Sequence, residues 1–196
     1  MVRIAITGGI ACGKSSVATW LAGRSVPVVE ADEVGHEVMA RGGDVHAGVV
    51  AAFGTAILRP DGEIDRGVLG RMVFADGAKR AQLNALTHAT IMRRLRGWVE
   101  AAPPGTAAVA AVIPLLYEVG DESRWDVVVC VAAPETEQMR RLSGRGLSED
   151  EGRARLAAQM PLVDKIERAD YVIYNGGSRE LMWEQTNRVW RHIRGE

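Results

Sequence analysis

The segment Gly8-Gly9-Ile10-Ala11-Cys12-Gly13-Lys14-Ser15 constrains this chain more than any other. It fits the spacing Gly-x-x-x-x-Gly-Lys-[Ser/Thr]; the apolar run Ile4-Ala5-Ile6 enters it and a helix-forming stretch over Ser16 to Ala22 leaves it. Glycines let such a loop curl so that successive N–H groups point inward at an anion. The helix that follows presents unpaired N–H groups and the positive end of its dipole to the same point. The pattern implies a nucleoside triphosphate held by residues Gly8 to Ser16, with Lys14 reaching the β- and γ-phosphates and the Ser15 hydroxyl on Mg²⁺. Lys14 is one of 3 lysines against 21 arginines, so an incidental lysine at this position is a poor explanation.

The order of elements around the loop predicts an α/β fold. Short apolar runs recur at Ile4–Ile6, Val26–Val29, Ala107–Ile113, Val127–Val131 and Tyr171–Ile173, as expected of strands buried on both faces of a parallel sheet. Helical patterns separate them, giving a doubly wound five-stranded sheet of the P-loop NTPase type. The second and third strands are too far apart for one crossover helix. Helical stretches fill that interval near Asp32–Arg41, Val45–Phe53, Arg66–Phe74 and Ala78–Ala101, before the breaker Pro103-Pro104-Gly105. The expected division is a nucleotide-binding core over 1–34, 102–135 and 169–196, a helical insert over 35–101 standing over the carboxyl ends of the strands, and a lid over 136–168. The lid interval is arginine-rich, with a capping box at Ser148-Glu149-Asp150-Glu151 and a break at Pro161.

Asp32 follows the second strand directly, at the ligand-binding edge of a parallel sheet. Phosphoryl transfer to an alcohol needs a carboxylate that orients the hydroxyl and accepts its proton. Asp32 suits that role, with capping of the next helix as the alternative. Arg145, in Ser143-Gly144-Arg145-Gly146, could close onto phosphates from a lid turn or lie on a solvated face. Asn175, before Gly176-Gly177, reads as a loop beside the adenine or as a simple turn. Cys12, near Lys14 and a helix N-terminus, reads either as a thiol with enhanced thiolate character, sensitive to oxidation and protected by ATP, or simply as a small residue that fits the loop. Cys130 and the five tryptophans read as core and packing residues.

Composition narrows the remaining classes. A formal net charge of −1 argues against broad electrostatic binding of nucleic acid. No apolar run approaches a membrane span or a signal peptide, and two separated cysteines read as free thiols in a reducing compartment. The expectation is a soluble cytoplasmic protein, monomeric or a small homo-oligomer.

The motifs together resemble the dephospho-coenzyme A kinase family over essentially the whole chain. The matching residues are Thr7-Gly8-Gly9-Ile10, Glu30-Ala31-Asp32 with His36-Glu37, Phe53-Gly54, Asp61-Gly62-Glu63-Ile64-Asp65-Arg66 and Thr87-His88. Further along come Ile113-Pro114-Leu115-Leu116-Tyr117-Glu118, Gly146-Leu147-Ser148, Gln159-Met160-Pro161-Leu162 and Ala169-Asp170-Tyr171-Val172-Ile173 with Asn175. Glu30 stands where the family usually has aspartate, and Ala89 where a proline normally follows the histidine. The resemblance implies transfer of the ATP γ-phosphoryl group to the ribose 3′-hydroxyl of dephospho-coenzyme A, the last step in making coenzyme A. It implies Asp32 as base, Lys14 and Ser15 as phosphate and Mg²⁺ ligands, Arg145 as the lid arginine, and Thr7, His88, Pro114 and Leu115 at the acceptor. The rival readings are another small-molecule kinase or a nucleotide-dependent switch; the latter lacks an Asn-Lys-x-Asp stretch.

Overall fold

The computed structural model describes residues 1–196. Its strands are β1 (Val2–Gly8), β2 (Val28–Glu30), β3 (Ala108–Val112), β4 (Val127–Ala132) and β5 (Tyr171–Tyr174). Its helices are α1 (Lys14–Ala22), α2 (Ala31–Met39), α3 (His46–Phe53), α4 (Arg66–Ala75), α5 (Gly77–Glu100), α6 (Glu135–Ser143), α7 (Glu149–Ala157), α8 (Leu162–Arg168) and α9 (Arg179–Arg194). The chain divides into two compact units, Met1–Val29 with Ala102–Glu196, and Glu30–Ala101.

The first unit is built on an all-parallel sheet of order β2-β3-β1-β4-β5. Its central strands are continuously apolar because both faces are covered; all five residues of β3 are buried. Side chains alternate across the sheet. Ile4 and Ile6, with Ala110, Val112, Val129, Val131 and Ile173, share a core with Val17 and Leu21 of α1 and Met182 and Trp190 of α9. On α8, which packs against β1 and β4, the buried residue is Lys165. β1 lies at the centre of the sheet, so its carboxyl end at Gly8 opens where ligands bind in folds of this kind.

The arginine-rich interval between β4 and β5 forms three helices. α6 carries Glu135 and Glu137 in its first turn and Arg140 and Arg141 in its last, the arrangement its dipole favours. α7 starts at the expected capping box: Ser148 Oγ accepts from the Glu151 N–H, and the Glu151 carboxylate accepts from the Ser148 N–H. After the break at Pro161 the chain resumes as α8.

The second unit is helical. Asp65 and Asp76 accept backbone N–H bonds at the starts of α4 and α5, which places those helix boundaries. The 24-residue α5 packs against α2, α3 and α4 and supplies Met92, Leu95 and Val99 to a core shared with Val34, Val38, Val49, Leu69 and Val73. Arg93 and Arg94 of α5 both reach Asp44, at 3.1 and 2.8 Å.

Leu95 is fully buried on the helix that meets every other helix of this unit. Leu95→Ala is expected to lower stability by about 3 kcal/mol, the usual cost of an unfilled core cavity. Urea unfolding checks this, and an unchanged midpoint would show that α5 does not organise the unit.

Candidate active site

The loop after β1 is shaped by two close approaches. Gly8 has φ 136°, and a Cβ there would run into the Val131 carbonyl of β4. Gly13 has φ 100°, and a Cβ there would overlap the Asn175 side-chain amide. Both values suit glycine alone. Ala11 also takes a left-handed conformation, φ 56°, at a cost of roughly 1 kcal/mol.

Side chains from neighbouring elements hold that shape. Asn175, at the end of β5 and buried, donates from Nδ2 to the Cys12 carbonyl at 2.8 Å. Arg141 of α6 donates to the Ala11 carbonyl at 3.0 Å and to the Asn175 carbonyl at 2.9 Å. Arg141 is aimed by Glu137, one helical turn earlier, through a 3.1 Å bond from its Nε. Arg140 first, then Arg141, holds the Glu137 carboxyl down to about 2. The Ala11 and Cys12 carbonyls thus face protein donors, whereas some of the loop's N–H groups have no acceptor in the chain.

Those N–H groups lie where α1 begins. Gly13 is the residue before the helix, and the N–H groups of Gly13 and Ser15 have no acceptor within the chain. Ser15 and Ser16 are exposed in the first turn. Helix α1 starts at Lys14, two residues before the stretch read from sequence, which brings the Lys14 backbone and the Ser15 hydroxyl into its first turn, where unpaired N–H groups suit an anion. Lys14 folds back over the loop, donating to the Gly8 and Gly9 carbonyls at 3.1 and 2.8 Å. The Ile10 N–H donates to Oε1 of Gln159, from the α7–α8 connection, at 3.0 Å. A cavity of about 540 Å³ adjoins Gly9, lined among others by Gln138, Arg153, Gln159, Met160 and Leu162.

The other expected residues take varied positions. Thr7 is fully buried at the end of β1, and its hydroxyl has no protein partner. Pro114 and Leu115 are half-buried in the turn after β3. The Pro114 carbonyl accepts from Lys165, which is buried and paired with Glu118 at 2.8 Å. Arg145 is exposed in the turn after α6, its N–H bonded to the Leu142 carbonyl. Arg141, one turn earlier, is the arginine that reaches the loop. In the second unit, Asp32 is exposed in the first turn of α2, which begins at Ala31, so it is not the residue that precedes the helix. His88 is half-buried on α5. That unit holds its own cavity of about 450 Å³, lined by His36, Arg59, Glu63, Asp65 and Arg66 among others. Burial, with the charge of Arg66, lowers the pKa of His36.

Of the two readings of Cys12, the reactive thiolate is the one the structure opposes. Cys12 is fully buried, and burial pushes its thiol above the ordinary value despite Lys14 and Arg141. Desolvation disfavours the thiolate more than those cations favour it. Burial likewise pushes Cys130 up to about 11.

No three His, Cys, Asp or Glu side chains gather to hold a metal by themselves. The donor set instead fits Mg²⁺ shared between the exposed Ser15 hydroxyl and phosphate oxygens, a common arrangement for this ion. No helix is long and apolar enough to cross a membrane.

The family model for dephospho-CoA kinase matches residues 2–180. The chain belongs to the dephospho-CoA kinase family. A dephospho-CoA kinase of Geobacillus kaustophilus is 44% identical over 181 residues, covering 91% of this chain and 90% of that protein. One of Anaeromyxobacter dehalogenans is 42% identical, covering 98% and 92%. Among solved structures, a Thermus thermophilus protein superposes with a TM-score of 0.81 at 33% identity, covering 97% of this chain and 96% of its own. The shikimate kinase of Bacteroides thetaiotaomicron shares the fold, with a TM-score of 0.56 at 16% identity and coverage of 98% of each chain.

In this dephospho-CoA kinase family member both thiols favour the protonated form in the folded state. Their contribution to stability is full below pH 9.0, the ordinary value, and is lost as pH rises, for Cys130 toward about 11. Native protein at pH 8 should resist iodoacetamide and become labelled in urea. Rapid labelling of Cys12 in the folded protein would contradict its placement.

Proposed function

We propose that this protein transfers the γ-phosphoryl group of ATP to the ribose 3′-hydroxyl of dephospho-coenzyme A, giving coenzyme A and ADP in the cytoplasm. The observation that carries the reading is the braced loop from Gly8 to Ser16, with acceptorless N–H groups at the start of α1, in a chain of this family.

The triphosphate takes the place of internal partners. Phosphate oxygens accept from loop N–H groups, and Lys14 exchanges its two loop carbonyls for the β- and γ-phosphates. The exposed Ser15 hydroxyl would hold Mg²⁺, which would supply positive charge to the transferred group. Asn175 contributes to the nucleotide site by fixing the Cys12 carbonyl and so the direction of the neighbouring N–H groups. Arg145, exposed on the turn after α6, supplies positive charge from the lid. Asp32 orients the acceptor hydroxyl and takes its proton as the oxygen attacks phosphorus. Thr7, His88, Pro114 and Leu115 are assigned to the acceptor.

Purified protein with Mg-ATP should form ADP only when dephospho-coenzyme A is added, one for one with a product heavier by one phosphate group at the 3′ position. Absence of acceptor-dependent ADP from folded, ATP-binding protein would point to another acceptor. Asp32→Asn should leave ATP binding in place while lowering kcat by about 10²–10⁴-fold. Near-wild-type turnover by that variant would remove Asp32 from the role of base.

A further inference from the structure

Opposite the core shared by α1 and α9, the first unit carries a continuous chain of polar contacts that the proposed mechanism does not use. It starts at the Ile10 N–H of the phosphate loop, which donates to Gln159 Oε1 at 3.0 Å. The next residue, Met160, donates its N–H to Glu118 Oε1 at 2.9 Å. The same oxygen accepts from Lys165 Nζ at 2.8 Å, and Nζ also donates to the Pro114 carbonyl at 2.7 Å. Gln159 and Met160 belong to the connection before α8, while Pro114 and Glu118 belong to the segment after β3.

Lys165 is the residue on which these contacts converge. It is completely buried, in a chain that otherwise relies on arginine for positive charge. A compact ammonium can donate in several directions from one point. Glu118 keeps some exposure, so the pair is buried on the lysine side only. Ion pairs taken out of water are often no more stabilising than apolar side chains of the same volume, and what they impose is geometry. Here the geometry relates the phosphate loop to the Pro114 turn.

We infer that Lys165 is a positioning residue: through Glu118, Met160 and Gln159 it joins the phosphate loop to the acceptor-side turn at Pro114, so that occupancy of one site alters affinity at the other. This inference rests on the proposed function for the identity of the acceptor. A γ-phosphate oxygen and Gln159 Oε1 compete for the Ile10 N–H. Nucleotide binding therefore releases Gln159, and the released connection remains tied to Pro114 through Glu118 and Lys165. Linkage makes the effect reciprocal: dephospho-coenzyme A must change nucleotide affinity by the same factor.

The test measures the affinity of the β,γ-imido analogue of ATP, with Mg²⁺, by calorimetry in the presence and absence of saturating dephospho-coenzyme A. Wild-type protein should show a change of about 5-fold or more between the two conditions. Lys165→Met combined with Glu118→Leu removes both charges and leaves neither partner stranded, so the protein should fold. Its affinity for the analogue alone should stay within about 3-fold of wild type, while the effect of dephospho-coenzyme A falls toward 1-fold. Gln159→Leu cuts the chain at a half-buried side chain and should both tighten the analogue and reduce the coupling. A purely structural role would lower the melting temperature and leave the coupling factor as it was. Turnover of dephospho-coenzyme A with coupling absent in wild type, or intact in the folded variants, overturns this inference and leaves the proposed function standing. Failure of wild type to use that acceptor overturns both.

Discussion

The structure depends on fixing a row of backbone N–H groups in the loop after β1, of which those of Gly13 and Ser15 have no acceptor inside the chain. Such a row repels itself and lacks the ladder partners of a strand, so its shape has to be imposed from behind. Val131 of β4 leaves no room for a side chain at Gly8, and Asn175 at the end of β5 leaves none at Gly13. Arg141 and Asn175 take up the outward-facing carbonyls of Ala11 and Cys12. The parallel order of β1, β4 and β5 is what brings these groups to one edge. Fold and site are therefore tied together: the strands that bury the core also set the loop.

Charge is distributed accordingly. Lys14 donates to the Gly8 and Gly9 carbonyls, which keeps its ammonium beside the loop. Arg141 is held by Glu137 and acts on backbone, while Arg145 is exposed. Lys165 lies under the sheet with Glu118 as its counter-ion. The arginine-rich interval thus combines a brace on α6, an exposed cation in the following turn and a connection before α8 that touches the loop through Gln159.

Much of this was legible in the residues. Continuous apolar runs revealed all five strands because a parallel sheet covered on both faces needs no polar alternation. The capping box at Ser148 marked a helix start by local chemistry that survives in the fold. The phosphate loop was legible because its glycines answer a backbone requirement. The brace and the buried lysine were not. Arg140 and Arg141 are adjacent in sequence, and only the start of α6 at Glu135 decides which one faces the loop. Lys165 sits among Asp164, Glu167 and Arg168, where it reads as one more surface charge; its burial follows from how α8 lies on β1 and β4. Cys12 stayed open between two readings because Lys14 lies two residues on; burial, a property of the packed loop, outweighs that cation.

The central claim is that loop N–H groups, held ready by Asn175 and Arg141, are what grasp the triphosphate. The direct measurement is the backbone amide spectrum of ¹⁵N-labelled protein titrated with the Mg²⁺ complex of the β,γ-imido analogue of ATP. The amides of Ile10, Gly13, Lys14 and Ser15 should move strongly downfield as they gain charged acceptors, while amides along α9 stay in place. Saturable binding that leaves those four amides unmoved would contradict the account.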